Sequence, residues 1–159
     1  MQELEIVRAH DRELLAACAG WMAQSDPWRS LGIDAAALLQ SMTHPLCESY
    51  LAHAGALGVG LLTLLMEGAL PGYVKLLAVH PAHRGHGLGR SLLRHAEERI
   101  FCEVPNVFIC VSALNPRAQQ FYERCGYTVI GQLADYLVQG QAEILLRKSI
   151  GPILATKKG

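Results

Sequence analysis

Arginine and glycine dominate a short segment, R-G-H-G-L-G-R, that runs from Arg84 to Arg90. Glycine carries no Cβ, so a ligand can come close to its backbone N–H group. Where a helix begins, several N–H groups lack partners and lie at the positive end of the helix dipole. Such groups bind phosphate, and the arginines add charge. The segment therefore predicts a polyphosphate site.

Three phosphate-binding patterns can be compared with this segment. The Walker pattern requires lysine after its last glycine, but here Arg90 follows Gly89. The dinucleotide pattern G-x-G-x-x-G does not fit the even spacing of these glycines, and no acidic residue closes a following strand at the expected distance. The third pattern, R-x-x-G-x-G, is matched by Arg84, Gly87 and Gly89. The segment therefore indicates a loop of the third type.

The residues around the loop predict the elements that must position it. The run Tyr73–His80 is typical of a strand, and apolar residues recur at helical spacing from Leu88 to Ile100. Asn106–Leu114 predicts a second strand. Because a helix joins the two strands, we expect them to be parallel neighbours with a right-handed crossover. A further helix is predicted to begin at Asn115, an N-cap followed by proline.

The rest of the chain predicts an α/β fold with a mixed sheet, in the order β-α-α-β-β-β-α-β-α-β-β. Short turns join the early strands, so we expect these strands to be antiparallel. We expect a single domain over residues 1–150 and a C-terminal tail over residues 151–159. The other predicted elements are a strand at Leu4–His10, helices at Asp11–Gln24 and Asp34–Met42, a loop at Ser25–Gly32, two strands around a turn near His53–Gly55, and strands at Tyr127–Leu133 and Ala142–Ile150.

The composition argues against several classes of protein. Apolar residues make up 51% of the 159 residues, which indicates a globular protein with a core. Lysine plus arginine and aspartate plus glutamate total 14 each, so no basic excess favours nucleic acid or a membrane surface. The cysteines are odd in number and widely spaced, which favours free thiols. With neither a signal-peptide pattern nor a membrane-spanning run, we expect a cytoplasmic protein.

Two segments together resemble the GNAT superfamily of acetyl-CoA-dependent N-acetyltransferases. They are L-L-A-V-H-P-A-H-R-G-H-G-L-G-R-S-L-L and V-S-A-L-N-P-R-A-Q-Q-F-Y-E-R-C-G-Y. The resemblance covers Tyr73 to Leu133, and its motif spacing is nearest to bacterial ribosomal-protein N-terminal acetyltransferases. It implies the GNAT fold, a mostly antiparallel central sheet with one splayed parallel strand pair, flanked by helices. It also implies that acetyl-CoA, the cosubstrate, lies in the opening of that pair.

The resemblance assigns the residues that would bind the cosubstrate. The backbone of Leu77 and Val79, with Ala78 between them, would pair with the pantetheine arm, and an amide there would polarise the acetyl carbonyl. The amides of Gly85–Arg90 would hold the pyrophosphate. Asn115 corresponds to the family asparagine that reaches the cofactor arm. A simple N-cap role stays open for Asn115, and the two roles can coexist.

The resemblance also indicates a catalytic acid. Tyr122 aligns with the family tyrosine near the CoA sulfur, where it can protonate the departing thiolate. Tyr122 also falls at helical core spacing with Phe121 and Cys125, so packing in the core is its alternative role. Ribosomal-protein acetyltransferases commonly carry a glutamate where this chain has Cys110, and a thiol with a pKa of about 8.5 substitutes poorly for a carboxylate. We therefore interpret Cys110 as a small buried apolar residue, and the general base stays open.

Strand periodicity predicts which side chains approach the acceptor. Strict alternation places Tyr73, Lys75, Leu77 and Val79 on one face of their strand. If Leu77 and Val79 border the acetyl group, Lys75 lies further toward the acceptor. There it could bind an acidic acceptor, or act as a base if burial lowers its pKa. The alternative is that Lys75 is a lysine that emerges at the end of a strand and has no role in binding the acceptor.

Two loops complete the acceptor site that the resemblance implies. Family members often form an acceptor wall ahead of the last strand, which makes Asp135 and Tyr136 candidates. The loop between the first two helices is another acceptor border in the family, and here it supplies Trp28. An exposed loop position or a core anchor is the alternative for each residue.

The histidines do not predict a metal site. His80, His83 and His86 follow at three-residue intervals, but they cross a proline into the glycine loop and share no helical face. We therefore expect acetyl-CoA and an amine as partners, without a metal, nucleic acid or membrane. A homodimer stays open.

Three functions are compatible with these observations. The first is an enzyme that transfers acetyl from acetyl-CoA directly to a primary amine of a small molecule, a protein or a peptide, without an acyl-enzyme. The second is a non-catalytic sensor of acetyl-CoA or CoA, toward which the missing glutamate at Cys110 points. The third is an NTP-binding protein that uses the same loop, in which case ATP would compete with CoA.

Overall fold

The computed structural model describes residues 4–154, so residues 155–159 of the predicted tail lie outside the described residues. A 3-10 turn at Pro81–His83 leads toward the predicted phosphate loop. The strands are β1 Ile6–Arg8, β2 Cys47–Ala54, β3 Leu57–Leu65, β4 Tyr73–Val79, β5 Asn106–Ser112, β6 Thr128–Ala134 and β7 Ala142–Ser149. The helices are α1 Arg12–Ala23, α2 Trp28–Leu31, α3 Ala35–Met42, α4 Leu88–Phe101 and α5 Pro116–Arg124.

The strands form one seven-stranded sheet in the order β1-β2-β3-β4-β5-β7-β6. β4 and β5 are parallel, and every other neighbouring pair is antiparallel. Helix α4 connects the parallel pair, as expected for a crossover. α1 and α3 pack against one face of the sheet and α4 against the other. The predicted fold class, a mostly antiparallel sheet with one parallel pair and flanking helices, is confirmed.

The parallel pair is joined at one end only. Tyr73 pairs with Phe108 and Val74 with Ile109, and beyond Val74 the two strands separate. The Phe108 N–H donates to the Gly72 carbonyl at 3.0 Å, which closes the pair at its start. The splay that the resemblance implied is therefore present, and it leaves a gap in the middle of the sheet.

Aspartates begin the two helices on the first face of the sheet, as the sequence predicts. Asp11 Oδ1 accepts hydrogen bonds from the N–H groups of Glu13 and Leu14 at 2.9 and 3.3 Å. Asp34 Oδ1 accepts from the Ala37 N–H at 2.9 Å. These caps satisfy N–H groups that the helices cannot pair internally, so the local sequence fixes where α1 and α3 start.

The segment predicted as a loop, Ser25–Gly32, contains the short helix α2. Ser30 Oγ donates to Asp26 Oδ1 at 2.6 Å, and Gly32 ends the turn in the left-handed region at φ 70°. A four-residue helix is shorter than the span over which apolar periodicity can be recognised. The sequence therefore carries no signal for this helix, although the segment connects α1 and α3 as predicted.

Two apolar clusters fill the two faces of the sheet. Leu62, Leu92 and Val107 belong to the cluster under α4, and Met22 and Leu61 belong to the cluster under α1 and α3. Residues that are neighbours in β3 thus point to opposite cores, as the alternation of a strand requires. No helix within residues 4–154 has the length and apolar character needed to cross a bilayer.

A β-bulge interrupts β4 beside the gap. Thr63 of β3 pairs with Leu76, but the next residue, Leu64, pairs with Val74. Lys75 is therefore an extra residue without an opposite partner on β3, which is the arrangement of a bulge. The bulge lies at the point where β4 leaves β5.

The bulge overturns the predicted alternation of β4. Leu77 and Val79 pack in the cluster under α4 together with Val74, although the odd spacing between Val74 and Leu77 would put them on opposite faces of a regular strand. The prediction that Tyr73 and Lys75 share a face with Leu77 is therefore wrong. One inserted residue reverses the faces of all later side chains, so Tyr73 lies on the side away from α4.

Candidate active site

A cavity of about 470 Å³ occupies the gap between β4 and β5. Ala118 and Tyr122 of α5 line it from the side of α4, whereas Trp28 of α2 and Leu38 of α3 line it from the opposite side. The cavity therefore passes through the plane of the sheet.

The predicted phosphate loop forms the N-terminus of α4. Gly85 and Gly87 have φ values of 80° and 83°, in the left-handed region that favours glycine. Gly87 is the N-cap residue, and no side chain caps the helix. Among the described residues, the N–H groups of Gly85–Arg90 have no hydrogen-bond partner. These unpaired donors at the positive helix end form a ready site for an anion.

The other residues of the loop offer an anion mainly their backbone N–H groups. His86 is exposed, whereas the Leu88 side chain is buried in the cluster under α4. A Cβ on Gly89 would lie 3.7 Å from the Phe121 ring and 3.8 Å from Val79. The absence of a side chain at Gly89 therefore leaves space between α4, α5 and β4, beside the unpaired amides.

Two arginines stand beside these amides. Arg84 lines the cavity, and its Nε donates to the Val79 carbonyl at 3.1 Å. Arg90 is exposed on the first turn of α4. Neither arginine takes part in an ion pair within residues 4–154. Their positive charge is therefore available to an anion held at the helix terminus.

The backbone of β4 turns hydrogen-bonding groups into the gap. The His80 N–H donates to the Val59 carbonyl of β3 at 2.8 Å. Since N–H directions alternate along a paired strand, the Ala78 N–H also points to β3, and those of Leu77 and Val79 point away from it. β5 pairs with neither residue. The gap therefore exposes the N–H groups of Leu77 and Val79 to an extended ligand.

Asn115 is the N-cap of α5 and also borders the cavity. Its Oδ1 accepts from the Ala118 N–H at 3.2 Å as the N-cap of α5. Asn115 also lines the cavity, and its amide nitrogen has no partner within residues 4–154. The oxygen is used for the cap, so the NH₂ group remains able to donate to a ligand.

Tyr122 lies in the cavity wall and is only 5% exposed. Its ring meets Phe121 and Tyr127 edge to face, with centroid distances of 5.1 and 5.8 Å. Its hydroxyl makes no hydrogen bond to the described residues. Burial raises the pKa of Tyr122 above its ordinary value. The hydroxyl is therefore protonated at neutral pH and faces a cavity in which it has no partner of its own.

Four of the five acceptor candidates line the cavity. Tyr136, in the connection between β6 and β7, is 60% exposed. Burial, followed by the Cys110 thiol, raises the pKa of Tyr73. The predicted acceptor residues in the lining are Trp28, Tyr73, Lys75 and Tyr136.

Asp135 is not among the cavity-lining residues. Its φ of 55° lies in the left-handed region, and its Oδ1 accepts from the Gly140 N–H at 2.6 Å. The carboxylate thus holds the turn that brings β6 back to β7. Its backbone N–H donates to the Gln141 carbonyl at 2.9 Å, so Asp135 shapes the loop that carries Tyr136.

Glu143 of β7 also lines the cavity, although it was not predicted from the sequence. It is 4% exposed, and its Oε1 has no hydrogen-bond partner within residues 4–154. It lies opposite Ser112 of β5, on the face of the sheet that also carries Cys110. Burial raises the pKa of Glu143. The sequence signal was a lone carboxylate within an apolar strand, A-E-I-L-L.

Cys110 occupies the position at which the resemblance implies a glutamate. It is partly buried in the same wall as Tyr73 and Glu143. Burial raises the pKa of the Cys110 thiol. The thiol is therefore protonated at neutral pH and is unsuited to accept a proton from an amine.

The histidines near the loop make local contacts. His80 Nδ1 accepts from the Ala82 N–H at 3.1 Å, and the rings of His80 and His83 lie 5.9 Å apart. Within the part of the chain that the structure describes, no group of three or more His, Cys, Asp or Glu side chains is placed to hold a metal ion.

Known proteins with similar sequences are acetyltransferases. A family described as "Acetyltransferase (GNAT) domain" matches residues 45–129, which is more than half of the chain. The spermidine N(1)-acetyltransferase of Vibrio cholerae is 27% identical over 77 residues. That alignment covers 46% of this chain and 44% of the relative, so the chain spans less than half the length of this curated protein.

Solved structures share the fold over nearly the whole chain. An aminoglycoside 6'-N-acetyltransferase complexed with coenzyme A has a TM-score of 0.74 and 15% identity, with coverage of 96% of this chain and 100% of that one. The ribosomal-protein-S18-alanine N-acetyltransferase of Escherichia coli has a TM-score of 0.72 and 18% identity, with coverage of 98% of both chains. With the family match across the splayed strands and the phosphate loop, the chain belongs to the GNAT family of acetyltransferases.

Proposed function

We propose that this protein is an N-acetyltransferase that moves the acetyl group of acetyl-CoA directly to a primary amine. The observation that carries the proposal is the cavity between β4 and β5, which is lined from both faces of the sheet and reaches Arg84, the residue before the unpaired amides of α4. A thioester that enters from the side of α4 can meet an amine that enters from the other side. Such an arrangement brings the two reactants together without a covalent enzyme intermediate.

The cosubstrate site in this proposal is made mostly of backbone. The CoA diphosphate binds the N–H groups of Gly85–Arg90, with charge added by Arg84. The pantetheine arm lies along Leu77 and Val79, and Asn115 donates its amide to it. An N–H group at the thioester oxygen stabilises the negative charge that develops during acyl transfer. A protein of the same fold was solved as a complex with coenzyme A, which supports CoA as the ligand in this proposal.

Tyr122 is the proposed acid. Its buried hydroxyl is protonated and faces the cavity from the side on which the thioester enters. The same apolar surroundings disfavour a free thiolate, so proton transfer to the sulfur is favoured as the carbon–sulfur bond breaks. An unpartnered tyrosine in the cavity wall favours this role over simple packing.

The proposed acceptor is a primary amine on a small molecule or a peptide. Trp28, Tyr73 and Tyr136 provide an aromatic border at the acceptor mouth, and aromatic rings attract both apolar groups and ammonium ions. The similar proteins are named for spermidine, an aminoglycoside and the alanine of ribosomal protein S18. The free cysteines fit a reducing compartment, and we propose the cytoplasm.

Calorimetry and an assay of thiol release test this function. We expect wild-type protein to bind acetyl-CoA and to release CoA thiol in the presence of one or more primary amines from a panel. Tyr122→Phe should lower kcat by about 10²-fold or more, the usual scale of general-acid catalysis, with unchanged affinity for acetyl-CoA. The matched control is Tyr127→Phe, a nearby buried tyrosine outside the cavity, which should keep kcat.

The alternatives give different results in the same experiments. A sensor would bind acetyl-CoA without turnover of any amine, and Tyr122→Phe would change nothing. An NTP-binding protein would bind ATP in competition with CoA. The absence of any heat with acetyl-CoA would overturn the proposed function itself.

A further inference from the structure

We propose that Glu143 binds the ammonium group of the acceptor and takes its proton before acetyl transfer. The proposal rests on the proposed acetyltransferase function and supplies the general base that Cys110 does not. It also narrows the substrate class to amines that arrive protonated, with a positive charge that a buried carboxylate can recognise.

The first support is the unsatisfied state of the carboxylate. Glu143 is 4% exposed, lines the cavity and leaves Oε1 without a hydrogen-bond partner in residues 4–154. A buried charged oxygen without a donor is costly to a folded protein. An ammonium ion in the cavity would supply both the missing donor and the opposite charge. Nothing in the described part of the chain supplies them, because no ion pair there involves Glu143.

The second support is the position of Glu143 relative to the gap. Glu143 faces Ser112 across the β5–β7 pair, on the side of the sheet away from α4. Tyr122 reaches the same cavity from the side of α4. The two proton-transfer groups thus lie on opposite sides of the opening. Direct transfer needs this order, because the amine loses its proton where it enters and the sulfur gains one where it leaves.

The other titratable groups at this wall do not compete for the role. Tyr73 and Lys75 come from β4, Cys110 from β5 and Tyr136 from the β6–β7 connection. Burial keeps Tyr73 and Cys110 protonated at neutral pH, and Lys75 is exposed on the bulge. None of these groups is a carboxylate, so none matches Glu143 as an acceptor for the proton of an ammonium ion.

Asp26 is the other carboxylate in the cavity lining. It already accepts from Ser30 Oγ at 2.6 Å and from Arg29 Nη2 at 3.4 Å. Its side chain is 56% exposed, so water can replace any partner it lacks. Of the two carboxylates, Glu143 is the one that is buried and unpartnered.

The proposed step balances in atoms and charge. The ammonium ion R–NH₃⁺ gives one proton to the carboxylate of Glu143 and becomes a neutral amine. The nitrogen lone pair forms the new bond to the thioester carbon, and the carbon–sulfur bond breaks with its electron pair on sulfur. Sulfur takes the proton of Tyr122, and the nitrogen loses a second proton, which restores Tyr122. Glu143 releases its proton to solvent after the amide leaves.

A pair of amines with the same shape and different basicity tests the role of Glu143. The probes are 2-phenylethylamine, which is protonated at pH about 8, and 2,2-difluoro-2-phenylethylamine, whose fluorine atoms withdraw electrons and leave it largely neutral. We expect Glu143→Gln to lower kcat/KM for the protonated amine by about 10²-fold or more, the scale of general-base catalysis. The loss should be several times smaller for the fluorinated amine, because it is already neutral and has no ammonium proton to give to Glu143.

Two further measurements keep the outcome unambiguous. Acetyl-CoA affinity should be the same in wild type, Glu143→Gln and the control Glu67→Gln, which alters an exposed residue outside the cavity. Binding of 2-phenylethylamine to the protein saturated with CoA, which cannot react, should weaken in Glu143→Gln only. Equal losses with both amines, or unchanged amine binding, would overturn the assignment of Glu143. A wild-type protein that binds no acetyl-CoA would instead contradict the proposed function.

Discussion

Glu143 and Tyr122 are both buried beside the same cavity, and burial raises the pKa of each. The consequences differ because one group is charged in water at neutral pH and the other is not. For Glu143, the shift makes the carboxylate a better proton acceptor. For Tyr122, the shift keeps the hydroxyl protonated at neutral pH, which the proposed role as an acid requires.

The raised pKa of Glu143 predicts a pH-dependent cost to stability. When a carboxyl group has a higher pKa in the folded protein than in the unfolded chain, the folded protein loses stability as the pH rises above the ordinary pKa of that group. Glu143→Gln removes the charge at nearly the same shape. We therefore expect the variant to have a higher Tm than wild type at about pH 7, and the difference to shrink as the pH falls to about 4.

Thermal unfolding followed by circular dichroism across this pH range measures the effect. Glu67→Gln is the control, because it makes the same chemical change at an exposed residue outside the cavity. A variant Glu143→Gln with the same Tm difference at every pH would show that the buried carboxylate carries no such cost.

At the scale of elements, the start of α4 depends on backbone shape. Gly87 is the N-cap at φ 83°, and a Cβ added there would meet no atom within 4 Å. The constraint is thus conformational and not steric. A side chain at this position would stand among the amides that are proposed to bind phosphate.

Gly87→Ala should reduce stability a little and cofactor binding more. The left-handed backbone costs an alanine about 1 kcal/mol. Loss of one hydrogen bond to a charged phosphate, about 1.5–3 kcal/mol, should weaken acetyl-CoA binding about tenfold or more. Chemical denaturation and calorimetry measure the two effects.

Gly55→Ala provides a matched control for this change. Gly55 lies in the turn between β2 and β3 at φ 61°, and a Cβ there also meets nothing within 4 Å. Gly55→Ala should therefore have a similar backbone strain, but it should not change the affinity for acetyl-CoA. Equal affinities for the two variants would count against phosphate binding at α4.

The closed end of the β4–β5 pair depends on a different glycine. The Gly72 carbonyl accepts from the Phe108 N–H, and Gly72 has φ 88°. A Cβ on Gly72 would collide with the Asn106 carbonyl and lie 2.8 Å from Ile100. Because residue 72 is a glycine, β4 and β5 can come together at this point. The gap between the two strands therefore has a fixed end at Gly72.

At the scale of the whole molecule, one sheet separates two apolar cores. Leu92 of α4 and Leu61 of β3 are fully buried in different clusters. Since β3 contributes to both clusters, loss of packing on either face should weaken the same sheet. We propose that residues 1–150 unfold as one unit, although residues 1–3 lie outside the described structure.

Leu92→Ala and Leu61→Ala test this single unit. Each change leaves a cavity and should lower the free energy of unfolding by about 2–5 kcal/mol. Near- and far-ultraviolet circular dichroism should report the same denaturation midpoint in each variant, as expected for a two-state domain. Two separate transitions would indicate that the two faces unfold independently.

Several features of the fold and the site follow from local sequence. Asp11 and Asp34 begin their helices, and Asn115 begins α5, because a cap depends on a side chain and the N–H groups two or three residues ahead. The glycine loop and the crossover between the parallel strands depend on spacing within one segment. Tyr122 was indicated by the resemblance of its motif to the family, and it lines the cavity.

The sequence by itself thus determined the family, the mixed sheet and the loop that begins α4. Only the tertiary structure decided the bulge at Lys75, the insertion of β7 between β5 and β6, and the entry of Glu143 into the cavity. The physical reason is that strand pairing joins residues far apart in the chain. Periodicity within one strand records which residues alternate, but it does not record which strand lies alongside or where an extra residue reverses the faces.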